Sequence, residues 1–181
     1  TRTLLYSAEG GGKTSLAAQY AGVQIIRCAE RGLHGHAGVT APTHGRLKTM
    51  LEALFAFMPL DTPHGRTFGS WGTHFVAENE IRFAFPFVLQ LRSTKPQSAA
   101  SGSAIQGMNW MFSIDDELQD SAEQGADPNI EARLRAVKTS VRMCTATAKD
   151  SYGWRNFRDE KEKSPDWRIL DRKSTRLNSS H

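Results

Sequence analysis

Near the start of the chain, Leu4-Leu5-Tyr6-Ser7-Ala8-Glu9-Gly10-Gly11-Gly12-Lys13-Thr14-Ser15 limits the fold more than any other stretch. A short apolar run feeds a glycine-rich turn. Lys-Thr follows, and Leu16-Ala17-Ala18-Gln19-Tyr20 opens a helix. Strand, glycine turn and helix in that order are the layout of a phosphate-binding loop. The glycines carry no side chain to stop backbone N–H groups turning toward an anion. A helix opening at Gly12 or Lys13 aims its positive end at the same place. Lys13 then reaches the β/γ-phosphates of ATP, and the Thr14 hydroxyl holds Mg²⁺. The full pattern begins with glycine where this chain has Ser7, a small residue that can still make the turn. The nucleotide-binding set is Ser7, Glu9, Gly10, Gly11, Gly12, Lys13, Thr14 and Ser15.

A length of 181 residues suits one α/β domain with a buried core. Hydrophobic content of 39% and charged content of 23% are ordinary for a soluble globular chain. No apolar run approaches the roughly 20 residues of a membrane span. Cys28 and Cys144 lie far apart with no metal-type spacing, which points to reduced thiols in a cytosolic compartment. The chain opens on Thr1 rather than Met, which reads as a missing N-terminus. At the other end, residues 171–181 resemble one reading frame of a sequencing adapter and are set apart as non-native. That tail holds three basic residues and one acid, so without it the formal net charge of +4 becomes +2. Charge alone therefore makes no case for nucleic acid.

Along the chain, Thr1 to Tyr6 reads as a central strand, and a helix is expected from Lys13 to about Arg27. A loop is expected over Ala29 to Gly38, a short strand over Gly38 to Thr43, and a second helix from Leu47 to Met58, stopped by Pro59. His74-Phe75-Val76 and Glu80 to Phe85 read as a hairpin across Ala77-Glu78-Asn79, with a further strand over Phe87 to Leu91. Ser93 to Gly107 reads as a loop. His34 and His36 have no clustered carboxylate or cysteine and read as loop residues, not a metal site. The sum is a three-layer α/β domain around a mainly parallel sheet, with a β-hairpin insertion.

The second informative stretch is Trp110-Met111-Phe112-Ser113-Ile114-Asp115-Asp116-Glu117. An apolar strand ending in acids puts carboxylates at the strand's C-terminal end, where open α/β sheets bind ligands. Asp116 is assigned to Mg²⁺ and Glu117 to polarising the attacking water. A register shift of one residue makes Asp115 the alternative metal ligand. Adjacent strand residues point oppositely, so all three cannot serve the metal equally. Val141-Arg142-Met143-Cys144-Thr145-Ala146-Thr147 reads as a neighbouring strand ending in hydroxyls. The arginines open to a charge-stabilising role are Arg46, Arg133 and Arg135, the last two on an expected solvated helix face.

Taken together, Ser7–Thr14, Ala41-Pro42-Thr43, Ile105-Gln106-Gly107, Asp116-Glu117 and Thr145-Ala146-Thr147-Ala148-Lys149 resemble the ATPase domain of bacteriophage terminase large subunits. Tyr152 to Phe157 and Asp166-Trp167-Arg168 follow in the same order. The resemblance covers residues 1–170 and implies a P-loop ATPase fold of the RecA-like (ASCE) kind. It implies a motor that hydrolyses ATP with Mg²⁺ to drive double-stranded DNA into a procapsid, with Glu117 and Lys13 catalytic. Thr145, Ala146 and Thr147 correspond to the segment coupling hydrolysis to DNA movement. The implied partners are DNA, the portal and procapsid, a small terminase subunit and further copies in a ring, in the host cytoplasm. The RNase H-like nuclease domain of such proteins is not expected within residues 1–170. Another P-loop DNA translocase or helicase, or a non-catalytic nucleotide-binding fragment, shares these residues and stays open at this stage.

Overall fold

The computed structural model describes residues 1–7, 12–61, 65–66, 68–95, 108–123, 126–147 and 152–172. Eight strands form one sheet: β1 (Arg2–Ser7), β2 (Gly35–Ala41), β3 (Gly72–Phe75), β4 (Glu80–Phe83), β5 (Phe87–Ser93), β6 (Trp110–Asp115), β7 (Val141–Thr147) and β8 (Trp167–Arg172). Their order is β3-β4-β5-β2-β6-β7-β1-β8. From β5 to β8 every pairing is parallel, and the β3–β4 hairpin adds two antiparallel strands at one edge. The expected mainly parallel sheet with a hairpin insertion is what the chain forms.

Among the described residues, five helices cover the two faces. On one side lie α1 (Lys13–Glu30) and α2 (His44–Phe55). Ala17, Ala18, Ala21 and Ile25 of α1 and Leu47, Met50 and Leu54 of α2 pack there onto Leu5, Val39, Leu89, Phe112 and Ile114. On the other side lie α3 (Leu118–Glu123), α4 (Asp127–Arg135) and α5 (Tyr152–Glu162). Leu118, Trp154 and Phe157 close there over Leu4, Cys144 and Ala146. Leu4 and Leu5 are neighbours in β1 and feed opposite cores, as strand alternation requires. Burial on both faces is why the parallel strands read as apolar runs.

A bulge breaks that alternation once. His36 pairs with Trp110 but Gly38 pairs with Ser113, so one β2 residue stands opposite two on β6. Trp110 thereby turns to the α4 side, against Ala126, Ile130 and Leu134, while Phe112 and Ile114 face α1. Its indole N–H donates to Gln90 Oε1 at 2.9 Å, and a Cβ on Gly38 would lie 2.5 Å from its ring. Gly38, where the expected strand begins, is therefore a strand residue that makes room for Trp110.

Several boundaries differ from expectation. Helix α1 continues to Glu30, because Cys28 still faces the core. Strand β2 begins at Gly35, inside the expected 29–38 loop, where Gly35 and His36 pair with Phe87 and Val88. Helix α2 starts at His44 and ends at Phe55, three residues early at each end. Thr43 caps it by accepting the Arg46 N–H at 3.4 Å, and its last residues pass into a tight turn at Met58. Strand β8 was not anticipated as a strand. It pairs with β1 through Arg172, two residues into the adapter-like segment. The remainder of that segment, residues 173–181, lies outside the described residues, as does most of the expected 93–107 loop.

A buried ion-pair network joins β6, β7 and α4. Fully buried Arg142 donates through Nε to Asp115 Oδ2 at 2.6 Å, and through Nη1 to Asp127 at 2.5 Å and Glu131 at 2.8 Å. Arg2 also reaches Glu131 at 3.3 Å and Lys161 reaches Asp127 at 3.3 Å, so three cations meet three carboxylates. Burial pushes the Asp127 and Glu131 carboxyls up, but Arg142, with Lys161 and Arg2 behind it, outweighs that and holds both below the ordinary value. A depressed folded pKa stabilises above the unfolded value, and that stabilisation is lost as pH falls through the folded value. Resistance to urea is therefore expected to drop on acidification below about pH 4. The D127N/E131Q double variant should be less stable at pH 7 and show a flatter acid limb; an unchanged acid limb would contradict this account.

Candidate functional site

Three strand ends and one helix start converge at the C-terminal edge of the sheet. In the order β6-β7-β1, strand β7 separates the acidic strand from the strand that precedes the glycine turn. Register sets Ser7 of β1 beside Thr147 of β7, and Asp115 of β6 beside Cys144. Strand β7 therefore runs past the end of β6, which brings its hydroxyls level with the residues after Asp115.

Gly12 caps α1 in the left-handed conformation, φ 71°, with no side-chain cap and no acid in the first turn. The first N–H groups of such a helix have no partner within the helix, so its start suits an anion. Lys13 is buried, and its Nζ donates to the Ser7 carbonyl at 3.3 Å, so the ammonium folds back toward the end of β1. Ser15 is exposed beside it. Ala8, Glu9, Gly10 and Gly11 fall outside the described residues, so the expected roles of Glu9, Gly10 and Gly11 are not placed.

Asp115 and Asp116 separate by strand alternation. Asp115 faces the α4 side and accepts from Arg142, from Ser113 Oγ at 3.2 Å and from Thr40 Oγ1 at 2.6 Å. Asp116 faces α1. Its carboxylate accepts from Thr14 Oγ1 at 3.1 Å and from Thr145 Oγ1 at 2.5 Å, while its N–H donates to the Thr40 carbonyl at 2.9 Å. Residues 102 positions apart in sequence thus meet at one carboxylate. The alternative ligand Asp115 is taken up by Arg142 on the opposite face.

Burial raises the Asp116 pKa, Glu117 raises it further, and the Thr145 and Thr14 hydroxyls and the more distant Arg46 pull it down. The raised value reflects a buried carboxylate served by hydroxyls and, among the described residues, by no paired cation. Two hard oxygen donors, Thr14 Oγ1 and the Asp116 carboxylate, in hydrogen-bond contact suit Mg²⁺, which is held by one or two carboxylate or hydroxyl ligands plus phosphates and water. The donor set fits that ion.

Glu117 has φ 52°, an uncommon left-handed backbone for a residue with a side chain. Its N–H donates to Thr145 Oγ1 at 3.3 Å, and its Oε2 accepts from Thr147 Oγ1 at 3.2 Å and from Gln119 Nε2. Thr145 and Thr147 therefore face the acids. Ala146 between them is buried on the α5 side and does not. Residues 105–107 and 148–149 lie outside the described residues. Arg46 is exposed in the first turn of α2, Arg135 is exposed, and Arg133 is half-buried. Trp110 and Trp154 are core residues. Sequence reasoning missed Gln119, whose only signal is a polar residue at a buried position just after the acids.

No family model matches the chain, and no curated protein matches it in sequence. Solved structures do match. The large terminase of a thermophilic bacteriophage is 17% identical with a TM-score of 0.69, covering 93% of this chain and 39% of that one. A second structure of the same terminase, in complex with ADP, has a TM-score of 0.63. The HK97 bacteriophage large terminase is 14% identical with a TM-score of 0.67, covering 94% of this chain and 35% of that one. The ATPase domain of a Thermus phage large terminase is 13% identical with a TM-score of 0.64, covering 94% and 74%. The chain thus has the three-layer, RecA-like fold of large terminase ATPase domains, and spans well under half the length of the first two terminases. None of its described helices is long and apolar enough to cross a membrane.

The two adjacent acids should separate by stability. Asp115→Asn strips a buried partner from Arg142 and should destabilise on the order of 3 kcal/mol. Asp116→Asn removes a buried carboxylate that has no paired cation among the described residues, and should leave the melting temperature level or higher. Equal losses in chemical denaturation would contradict the division between faces.

Proposed function

We propose that this chain is the ATP-hydrolysing motor domain of a viral DNA-packaging terminase large subunit. The observation that carries the reading is the meeting of Thr14, Asp116 and Thr145 beside a glycine-initiated helix, on a fold shared with large terminase ATPase domains. The ADP complex of a protein with this fold supports nucleotide as the ligand. Double-stranded DNA, a portal and procapsid, a small terminase subunit, assembly into a ring and action in the host cytoplasm follow from the same reading.

In this reading ATP lies over the β1–α1 turn, with its phosphates on the helix start and on the amides of residues 9–12. Lys13 swings from the Ser7 carbonyl to the β/γ-phosphates and offsets charge that grows as the phosphoanhydride opens. Thr14 and Asp116 hold Mg²⁺, which when bound neutralises phosphate oxygens. Glu117 accepts a hydrogen bond from the attacking water and sets it in line with the leaving oxygen. Thr145 ties the Asp116 carboxylate to the Glu117 backbone, so the ligand and the water-orienting acid move as one unit. Positioning and fixed charge are where phosphoryl-transfer enzymes do most of their work.

Lys13→Ala should lower ATP turnover at least about a hundredfold, the scale of one preorganised charge, with circular dichroism and melting temperature near wild type. Unchanged turnover would overturn the catalytic role of Lys13. Hydrolysis stimulated by duplex DNA without strand separation fits a packaging motor, whereas strand separation would point to a helicase.

A further inference from the structure

Gln119 is an interior amide with contacts that nucleotide binding does not require. It sits at the start of α3, is 2% exposed, and has both ends of its amide engaged. Its Oε1 accepts the Thr147 backbone N–H at 3.0 Å, and its Nε2 donates to Glu117 Oε2. A backbone N–H can only donate, so the amide oxygen must face Thr147 and the NH₂ must face the carboxylate. Burying an amide is costly unless it is hydrogen-bonded, and here the two partners come from separate elements. The amide is therefore a bridge between the end of β7 and the side chain that follows β6.

We propose that Gln119 is a positioning residue that locks the Glu117 carboxylate to the end of β7, with Oε1 of Glu117 as the oxygen turned to the attacking water. This rests on the reading of Glu117 as the water-orienting acid. Both donors, Gln119 Nε2 and Thr147 Oγ1, fall on Oε2, and among the described residues no donor falls on Oε1. A carboxylate fixed through one oxygen can rotate only about that anchor, which keeps the other at a set height above the sheet. The anchor is a backbone N–H of β7, the strand between the acidic strand and the glycine turn. A shift of β7 along its axis is thus carried by Gln119 to the carboxylate. Misplacement by about 1 Å is enough to cost on the order of a hundredfold in rate.

The test compares Gln119→Met and Gln119→Glu in the full chain, measuring ATP turnover, nucleotide affinity and hydrogen exchange at the Thr147 amide. Gln119→Met removes both arms of the bridge. Its kcat should fall about ten- to a hundredfold, its nucleotide Kd should stay within about twofold, and Thr147 exchange should accelerate. Gln119→Glu keeps an acceptor for the Thr147 N–H but sets a second carboxylate against Glu117. It should keep Thr147 protection and still lose kcat, a split that a purely structural role does not produce. Wild-type kcat in both variants, or kcat losses matched by equal losses of nucleotide affinity, would overturn the proposal. Identical Thr147 exchange in all three proteins would overturn the bridge itself, whereas failure of the wild type to hydrolyse ATP would instead overturn the reading of Glu117 beneath it.

Discussion

The carboxylate-bearing end of the sheet depends on the pleat of one strand. Asp115 and Asp116 are neighbours in sequence, and strand alternation turns them to opposite faces of the sheet. One enters a charge-balanced interior network around Arg142, and the other enters a nest of hydroxyls with no paired cation among the described residues. Breaking a buried ion pair costs several kcal/mol, so the first carboxylate is fixed by folding itself. The second is held by Thr14 and Thr145 at a raised pKa, a state that an arriving divalent cation would relieve. Structural pairing and the proposed metal contact thus fall on two adjacent side chains and do not compete for one.

Strand β7 makes that arrangement usable. It lies between β6 and β1, and its alternating residues serve both faces. Arg142, Cys144 and Ala146 build the α4–α5 side, while Thr145 and Thr147 line the acids. The left-handed turn at Glu117 lets the chain leave β6 and enter α3 across two residues, which places Gln119 where it can reach back to Thr147. A local backbone cost of this kind persists where the surroundings over-determine it, and four hydrogen bonds among Glu117, Gln119, Thr145 and Thr147 do so here.

Much of this was legible in the sequence, for reasons that differ by element. The glycine turn and Lys13-Thr14 announce themselves because a phosphate cradle requires those residue types at that spacing. The hairpin and the mainly parallel sheet follow from period-2 and apolar runs. Sequence favoured Asp116 but kept Asp115 as the alternative, because register is a property of pairing. Gly35 and His36 looked like a loop, since glycine content hides the start of a strand whose Gly38 admits Trp110. Strand β8 carried no clean alternation and exists through its pairing with β1. Gln119 was invisible because its role is set by two long-range partners.

The central claim is that the β1–α1 turn binds a nucleotide together with a divalent cation held by Thr14 and Asp116. Calorimetric titration of ADP into the wild-type chain, with Mg²⁺ and then with EDTA, tests it most directly. The account predicts binding that weakens by roughly tenfold or more without the metal, the scale on which single ligands act, and a loss of that metal dependence in Thr14→Val. Equal affinity with and without Mg²⁺, or no binding in either condition, would contradict it.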